Sequence, residues 1–252
     1  MKSAVLACAI LLLTGGGAPW APPRTPVLVE LFTSEGCSSC PPAGALVARL
    51  VESQPIDGAE VVALELHVDY WDRRGWKDRF SSSAFSRRQE DYARLFGPDR
   101  VFTPQMVVDG AVEFVGSDEA KATSAIQKAA AQPHIAVGLR ADLRGDTVRI
   151  TVDGPAAPSD AAEKISVVVA VVEGGITSAV SRGENAGRTL AHTAVVRRLE
   201  TIGALDRDAF AGEGQWKINA GWQSSRLSVV AFLQGQKTRR VYGSAQARLG
   251  AR

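Results

Sequence analysis

The sequence is poor in cysteine: 252 residues carry only three, at positions 8, 37 and 40. That excludes a small scaffold stapled by several disulfides, which needs spaced pairs of cysteines. Charge of one sign is missing too. Lys+Arg and Asp+Glu number 29 and 27, for a net charge of +2, and no basic run or stripe stands out. Nucleic acid is therefore excluded as the main partner, as is a strongly acidic substrate. No apolar run reaches the roughly 20 residues of a membrane-spanning helix. What remains, 45% apolar and 22% charged residues, is globular composition and excludes disordered, collagen-like and fibrous chains.

The longest apolar run, Ala4 to Leu13, follows a short basic start (Met1-Lys2-Ser3) and precedes small residues from Thr14 to Ala18. Its length is that of a signal-peptide core, so residues 1–20 read as an export signal, cleaved between Gly16 and Pro22. The alternative is a buried N-terminal helix. Cys8 lies inside the run, with too few residues before it to serve as a lipid-anchored cysteine. The mature protein is expected to be periplasmic or secreted, with no stable membrane span.

Export leaves two cysteines, in Cys37-Ser-Ser-Cys40. A bridge across two residues closes a tiny loop and constrains the unfolded chain little, so chemistry explains the pair better than structure does. Pro26 to Thr33 reads as a buried strand, Ser34-Glu35-Gly36 as a turn, and Ala43 to Glu52 as a helix with Leu46, Val47 and Leu50 on one face. The pair thus sits between a strand and a helix N-terminus, where the helix dipole favours a thiolate. Cys37 reads as the nucleophile and Cys40 as the resolving thiol. Pro41 and Pro42 allow a second arrangement, with Cys40 as the cap and Pro41 as the first helical residue, which moves Cys37 away from the dipole.

Further along, Glu60 to Val68 reads as a second strand, parallel to the first. Ser83 to Leu95 reads as a helix, and Gln105 to Val108 and Ala111 to Val115 as a hairpin joined by Asp109-Gly110. A last helix follows from Asp118 to Ala131, with Ser117 as a candidate cap. The order β-α-β, insert, β-β-α resembles the thioredoxin fold, with Cys37 and Cys40 in its CxxC position and Thr103-Pro104 at its cis-proline. Glu30-Leu-Phe-Thr-Ser-Glu-Gly-Cys37, His67-Val-Asp-Tyr-Trp-Asp72 and Thr103-Pro-Gln-Met-Val-Val-Asp-Gly110 are together similar to an uncharacterised bacterial family of secreted thioredoxin-like proteins. The resemblance implies a thiol–disulfide oxidoreductase without organic cofactor. Its partners would be protein or peptide thiols and disulfides and a redox partner protein, with Thr103 and Pro104 positioning the substrate. It also makes Glu30 a candidate proton acceptor, seven residues before the first cysteine where thioredoxin has six; otherwise Glu30 is a solvent-facing strand residue.

Eight of the 16 aromatic residues fall between Tyr70 and Phe102. Tyr70, Trp71 and Trp76 follow the end of the second strand, where α/β sheets bind ligands. They read either as a substrate cap over the cysteines or as a satellite core under a long loop. His67 admits an alternative function, a Cu or Zn chaperone site with Cys37 and Cys40, or else a plain strand-end histidine bonded to backbone or to Asp69. A third possibility is a redox-inert binding module. His134 falls in a linker and is given no role.

After Gln132-Pro133 about seven short strands follow at sandwich spacing. Arg182-Gly-Glu-Asn-Ala-Gly-Arg-Thr189 lacks the spacing and the lysine of a phosphate loop and reads as a polar loop between strands. The expected architecture is a thioredoxin-like α/β domain over 24–132, with an aromatic insert at 69–102, then an all-β immunoglobulin-like sandwich over 135–249.

Overall fold

The computed structural model describes residues 23–97, 101–156, 163–205 and 209–249; the expected export signal and Cys8 lie outside them. In chain order the elements are β1 (Thr25–Thr33), α1 (Pro41–Ser53), β2 (Ala59–His67), α2 (Ser83–Phe96), β3 (Gln105–Val108), β4 (Val112–Val115) and α3 (Glu119–Ala130). They continue with β5 (Gly138–Arg144), β6 (Thr147–Gly154), β7 (Ile165–Glu173), β8 (Ile176–Ala179) and β9 (Thr189–His192). The last are β10 (Val195–Leu205), β11 (Phe210–Lys217), β12 (Leu227–Gly235) and β13 (Val241–Arg248). None of the described helices is long and apolar enough to cross a membrane.

The sheet topology overturns the expected fold class. A thioredoxin-like domain followed by a separate immunoglobulin-like sandwich would have two sheets systems with two cores. Instead one mixed eight-stranded sheet runs β13-β12-β7-β10-β2-β1-β3-β4 through both halves of the chain. The join is at β2: its inner edge pairs in parallel with β1, and its outer edge meets β10, where Val195 faces Glu65 and the Glu65 N–H donates to the Ala194 carbonyl at 2.7 Å. The physical reason lies in burial. β2 is buried along nearly its whole length, so polar backbone on both of its edges needs partners.

The second half shows the same logic. β7 (Ile-Ser-Val-Val-Val-Ala-Val-Val-Glu) and β12 are apolar almost throughout, as central strands covered on both faces are. Val168, Ala170 and Val172 of β7 join the core built on β1, β2 and α1, while Val167, Val169 and Val171 face the other way. There they pack on Val148, Ile150, Val152 and Trp216 of a small antiparallel sheet, β11-β6-β5. The core built on β1, β2 and α1 therefore draws on both sides of the boundary at 132–135.

Asp109 and Gly110 both take positive φ, 45° and 63°, as the two central residues of a tight turn closed by the Ala111 N–H on the Val108 carbonyl require. At Gly110 a Cβ would lie 1.9 Å from the Arg239 carbonyl oxygen, so only glycine fits. α3 is capped by Asp118, which accepts from the Lys121 N–H, and not by Ser117. His134 has a role after all: its Nε2 lies 3.0 Å from the Asp109 carboxylate, whose other oxygen accepts the Leu28 N–H. β9 and β10 are separated by a corner at Thr193-Ala194.

Candidate functional site

Cys37 and Cys40 form a disulfide in the turn between β1 and α1. Cys40 is the cap residue of α1, and Pro41 and Pro42 take its first two positions, where a missing N–H costs nothing. Ala43 and Gly44 give their N–H groups to the Cys40 carbonyl at 3.0 and 3.2 Å. The helix thus offers Cys40 its dipole but no free donor, and Cys37 lies outside the first turn. The nearest hydroxyl to the Cys37 sulfur is Ser39 Oγ at 3.3 Å.

Both cysteines are buried. Ser38 and Ser39 are exposed, but Cys37 is 0% and Cys40 3% exposed. The polar loop 182–189 binds the cysteine turn. Glu184 accepts from both the N–H and the hydroxyl of Ser38, at 3.1 and 2.7 Å. Buried Asn185 donates from Nδ2 to the Glu35 and Cys37 carbonyls, both at 2.9 Å, and its Oδ1 accepts from Arg188. Residues 184 and 185 therefore clamp the cysteine turn from the far half of the chain.

On the other side stands the Thr103-Pro104 bond, which is cis. Ser39 Oγ lies 3.5 Å from the Thr103 carbonyl, and Pro104 lies against Gly116 close to Ala43 of α1. Trp71 donates from its indole to Thr103 Oγ1 at 2.8 Å. The other two members of the expected aromatic cap are also tied down: Trp76 donates to Glu35 at 2.8 Å, and Tyr70 to Gln89 at 3.1 Å. Burial of the Tyr70 phenol pushes its pKa up to about 12 despite the hydrogen bonds to Gln89 and Thr103.

Glu30 does not meet the cysteines. It is fully buried and forms a two-pronged ion pair with Arg88 of α2 at 2.5 and 2.9 Å, and accepts from Tyr92 at 2.5 Å. Gln234 of β12 completes the network through Arg88 and Tyr92. Nor does His67 join the cysteines or Asp69. Its Nδ1 lies 2.6 Å from Asp78, and it groups with Glu65 and His192, which no sequence reading singled out. Burial lowers the His67 pKa, but the Asp78 carboxylate outweighs it and the net direction is up. Burial and Asp78 raise Glu35, but donors on His192, Ser178 and Trp76 outweigh them and hold it below its ordinary value.

Between α1 and the β8–β9 hairpin lies a cleft of about 510 Å³, lined by Cys40, Pro41, Glu65, Ile176, Leu190 and His192 among others. Cys40, and not Cys37, faces it. The clamp residues, Glu35, Asp78 and His192 were all missed. For Glu35 the signal was its place inside Ser-Glu-Gly-Cys; for Asp78, its place in the polar stretch after His67. The others are distant in sequence.

A disulfide turn clamped by the second half of its own chain, on one continuous mixed sheet, defines the class of protein. The chain belongs to DUF1223, a family described as protein of unknown function, which matches residues 28–234. It is similar to protein AGR_C_4864 from Agrobacterium tumefaciens, with 26% identity and a TM-score of 0.67 over 92% of this chain and 97% of that one. Similarity across nearly the full length of both agrees with a single continuous fold. HBP35 of Porphyromonas gingivalis shares the fold, with a TM-score of 0.63 and 14% identity over 90% of this chain and 76% of that one. No curated protein matches the sequence.

Proposed function

We propose that the protein is an exported thiol–disulfide oxidoreductase that exchanges its Cys37–Cys40 bridge with thiols of protein or peptide partners. The observation that carries this reading is the position of Cys40, at the cap of α1 and on the wall of an open cleft. A partner thiolate attacks the Cys40 sulfur; the S–S bond breaks and Cys37 leaves as a thiolate, with Ser39 Oγ beside it. A second partner thiolate then attacks the mixed disulfide, Cys40 leaves reduced, and the partner has lost two electrons. The same steps in reverse reduce a partner disulfide.

The roles proposed for the cysteines are thus the reverse of those expected from sequence, because Cys40 lines the cleft and Cys37 does not. A bridge of this kind persists in the periplasm or outside the cell, which fits the N-terminal segment. The full burial of Cys37 favours a second reading, a redox-inert bridge, and one assay separates the two. The disulfide form is expected to oxidise a dithiol peptide, and the reduced form to reduce insulin, above the level of the Cys37→Ser/Cys40→Ser protein. The Cys37→Ser variant should trap a mixed disulfide through Cys40 more readily than Cys40→Ser does through Cys37. No activity in either direction leaves the inert bridge.

A further inference from the structure

The group at the inner end of the cleft contains more buried acid than it can neutralise. Glu35, Glu65 and Asp78 are 0%, 2% and 1% exposed. Two imidazoles, His67 and His192, face them, and among the described residues no Lys or Arg is ion-paired with any of the three. The two arginines over the Phe80 ring are engaged elsewhere: Arg197 with Glu173, and Arg79 with the Thr177 carbonyl and Ser178. Burying carboxylates without a compensating cation is costly.

The imidazoles are held as metal-bound histidines are held. In such sites one ring nitrogen binds the metal and the other is fixed by a carboxylate or carbonyl. Asp78 holds Nδ1 of His67 at 2.6 Å, and Nε2 of that fully buried ring has no partner at all. Glu35 holds Nε2 of His192 at 3.2 Å, which turns Nδ1 toward Glu65, 3.9 Å away. One donor atom from each of Glu65, His67 and His192 lies within 4.8 Å of the others. Ligands at about 2.0–2.1 Å from a tetrahedral ion lie about 3.3 Å apart, so binding draws the three donor atoms together by up to about 1.5 Å. Phe80, 5.2 and 5.4 Å from the two rings, walls the group off on one side.

We propose that Glu65, His67 and His192 bind a divalent transition-metal ion, with Asp78 and Glu35 as the outer carboxylates that orient the two imidazoles. Two nitrogens and a carboxylate suit zinc and its first-row neighbours and do not suit calcium or magnesium. Three protein ligands leave a coordination position free, and Glu65 and His192 both line the cleft. The site involves neither cysteine, so it is independent of the exchange chemistry proposed above.

The test uses the whole protein, stripped with chelator, with its disulfide intact and no reductant present. Competition with a chromophoric chelator should show one Zn²⁺ per chain with micromolar or tighter affinity. Co²⁺ should give ligand-field bands without a thiolate charge-transfer band. Asp78→Asn should weaken Zn²⁺ binding about 10–100-fold, and His67→Gln and His192→Gln at least as much. Because His67 is a core residue, His192→Gln on the hairpin is the decisive variant: Zn²⁺ should raise the thermal midpoint of the native protein and not that of this folded variant. No stoichiometric binding, a thiolate band, or affinity unchanged in His192→Gln overturns the proposal.

Discussion

Replacing Asn185 with alanine should open the cysteine turn without dismantling the fold. Asn185 Nδ2 makes two buried hydrogen bonds, to the Glu35 and Cys37 carbonyls. At about 1 kcal/mol each, their loss favours the open loop by roughly 2 kcal/mol, a factor of about 30 in the opening equilibrium. The loop itself should survive, because the Gly187 and Val180 N–H groups pair with the Val180 and Arg188 carbonyls. Cys40 is only 3% exposed even on the cleft wall, so a thiol in the cleft reaches its sulfur when the clamped turn opens, and the rate of reduction follows the open population. Dithiothreitol should then reduce Asn185→Ala about 30-fold faster than the native protein, read by quenching with a maleimide and weighing the product. Val148→Ala, in the core cluster under the small sheet, is the control. It costs about 2 kcal/mol of global stability and should leave the reduction rate near the native one. Equal rates in Asn185→Ala and the native protein, or equal acceleration in the control, would refute the clamp.

Arg88→Met strands the Glu30 carboxylate in the core and should cost about 3–5 kcal/mol in urea denaturation; a loss below 1 kcal/mol would mean that water relieves Glu30. The hydrogen bond to Asp109 raises the His134 pKa above 6.5. A raised value in the folded state stabilises fully below the unfolded pKa, and that contribution is lost as pH rises through the folded one. Native stability should therefore fall relative to His134→Gln between pH 5.5 and 8 in parallel urea titrations, and a constant difference would remove His134 as the cause. Trp71→Phe deletes the indole N–H bonded to Thr103 and should cost roughly 1 kcal/mol of stability. It should also raise KM for a dithiol peptide, whereas lost stability with unchanged KM would make Trp71 a packing residue only.

What could be read from the sequence was local. The cysteine turn, the Asp109-Gly110 hairpin and the three helices each declare themselves within a dozen residues, through apolar spacing, caps and turn chemistry. The error over Glu30 was also legible. Side chains along a strand alternate between faces, so a one-residue offset reverses the face a residue presents. Glu30 stands seven residues before Cys37 instead of six, and its neighbour Leu31 is the one that lines the cleft with Cys40. The joined sheet was legible in principle as well. Ile165–Glu173 is apolar at almost every position, which suits a strand covered on both faces better than one wall of a two-layer sandwich.

The far side of the site had no local signature, because a long-range pairing assembles it. Asn185 and Glu184 reach the cysteine turn across 148 and 146 residues of chain, and His192 reaches Glu35 across 157. All of them hang on the bridge between Val195 and Glu65, which docks β10 on β2 just beyond the corner at Thr193-Ala194. That corner sends the β8–β9 hairpin over α1 and closes the cleft. Glu65 is tied into the same join, accepting the Thr193 N–H at 3.3 Å with both carboxylate oxygens. The residue that anchors the second half to the first is therefore also one of the three placed to hold a cation, and a substitution that keeps its oxygen acceptor but removes its charge separates the two roles. Glu65→Gln keeps an acceptor for Thr193 while removing the charge, so it should keep the hairpin docked and the thermal transition cooperative but lose Zn²⁺ affinity.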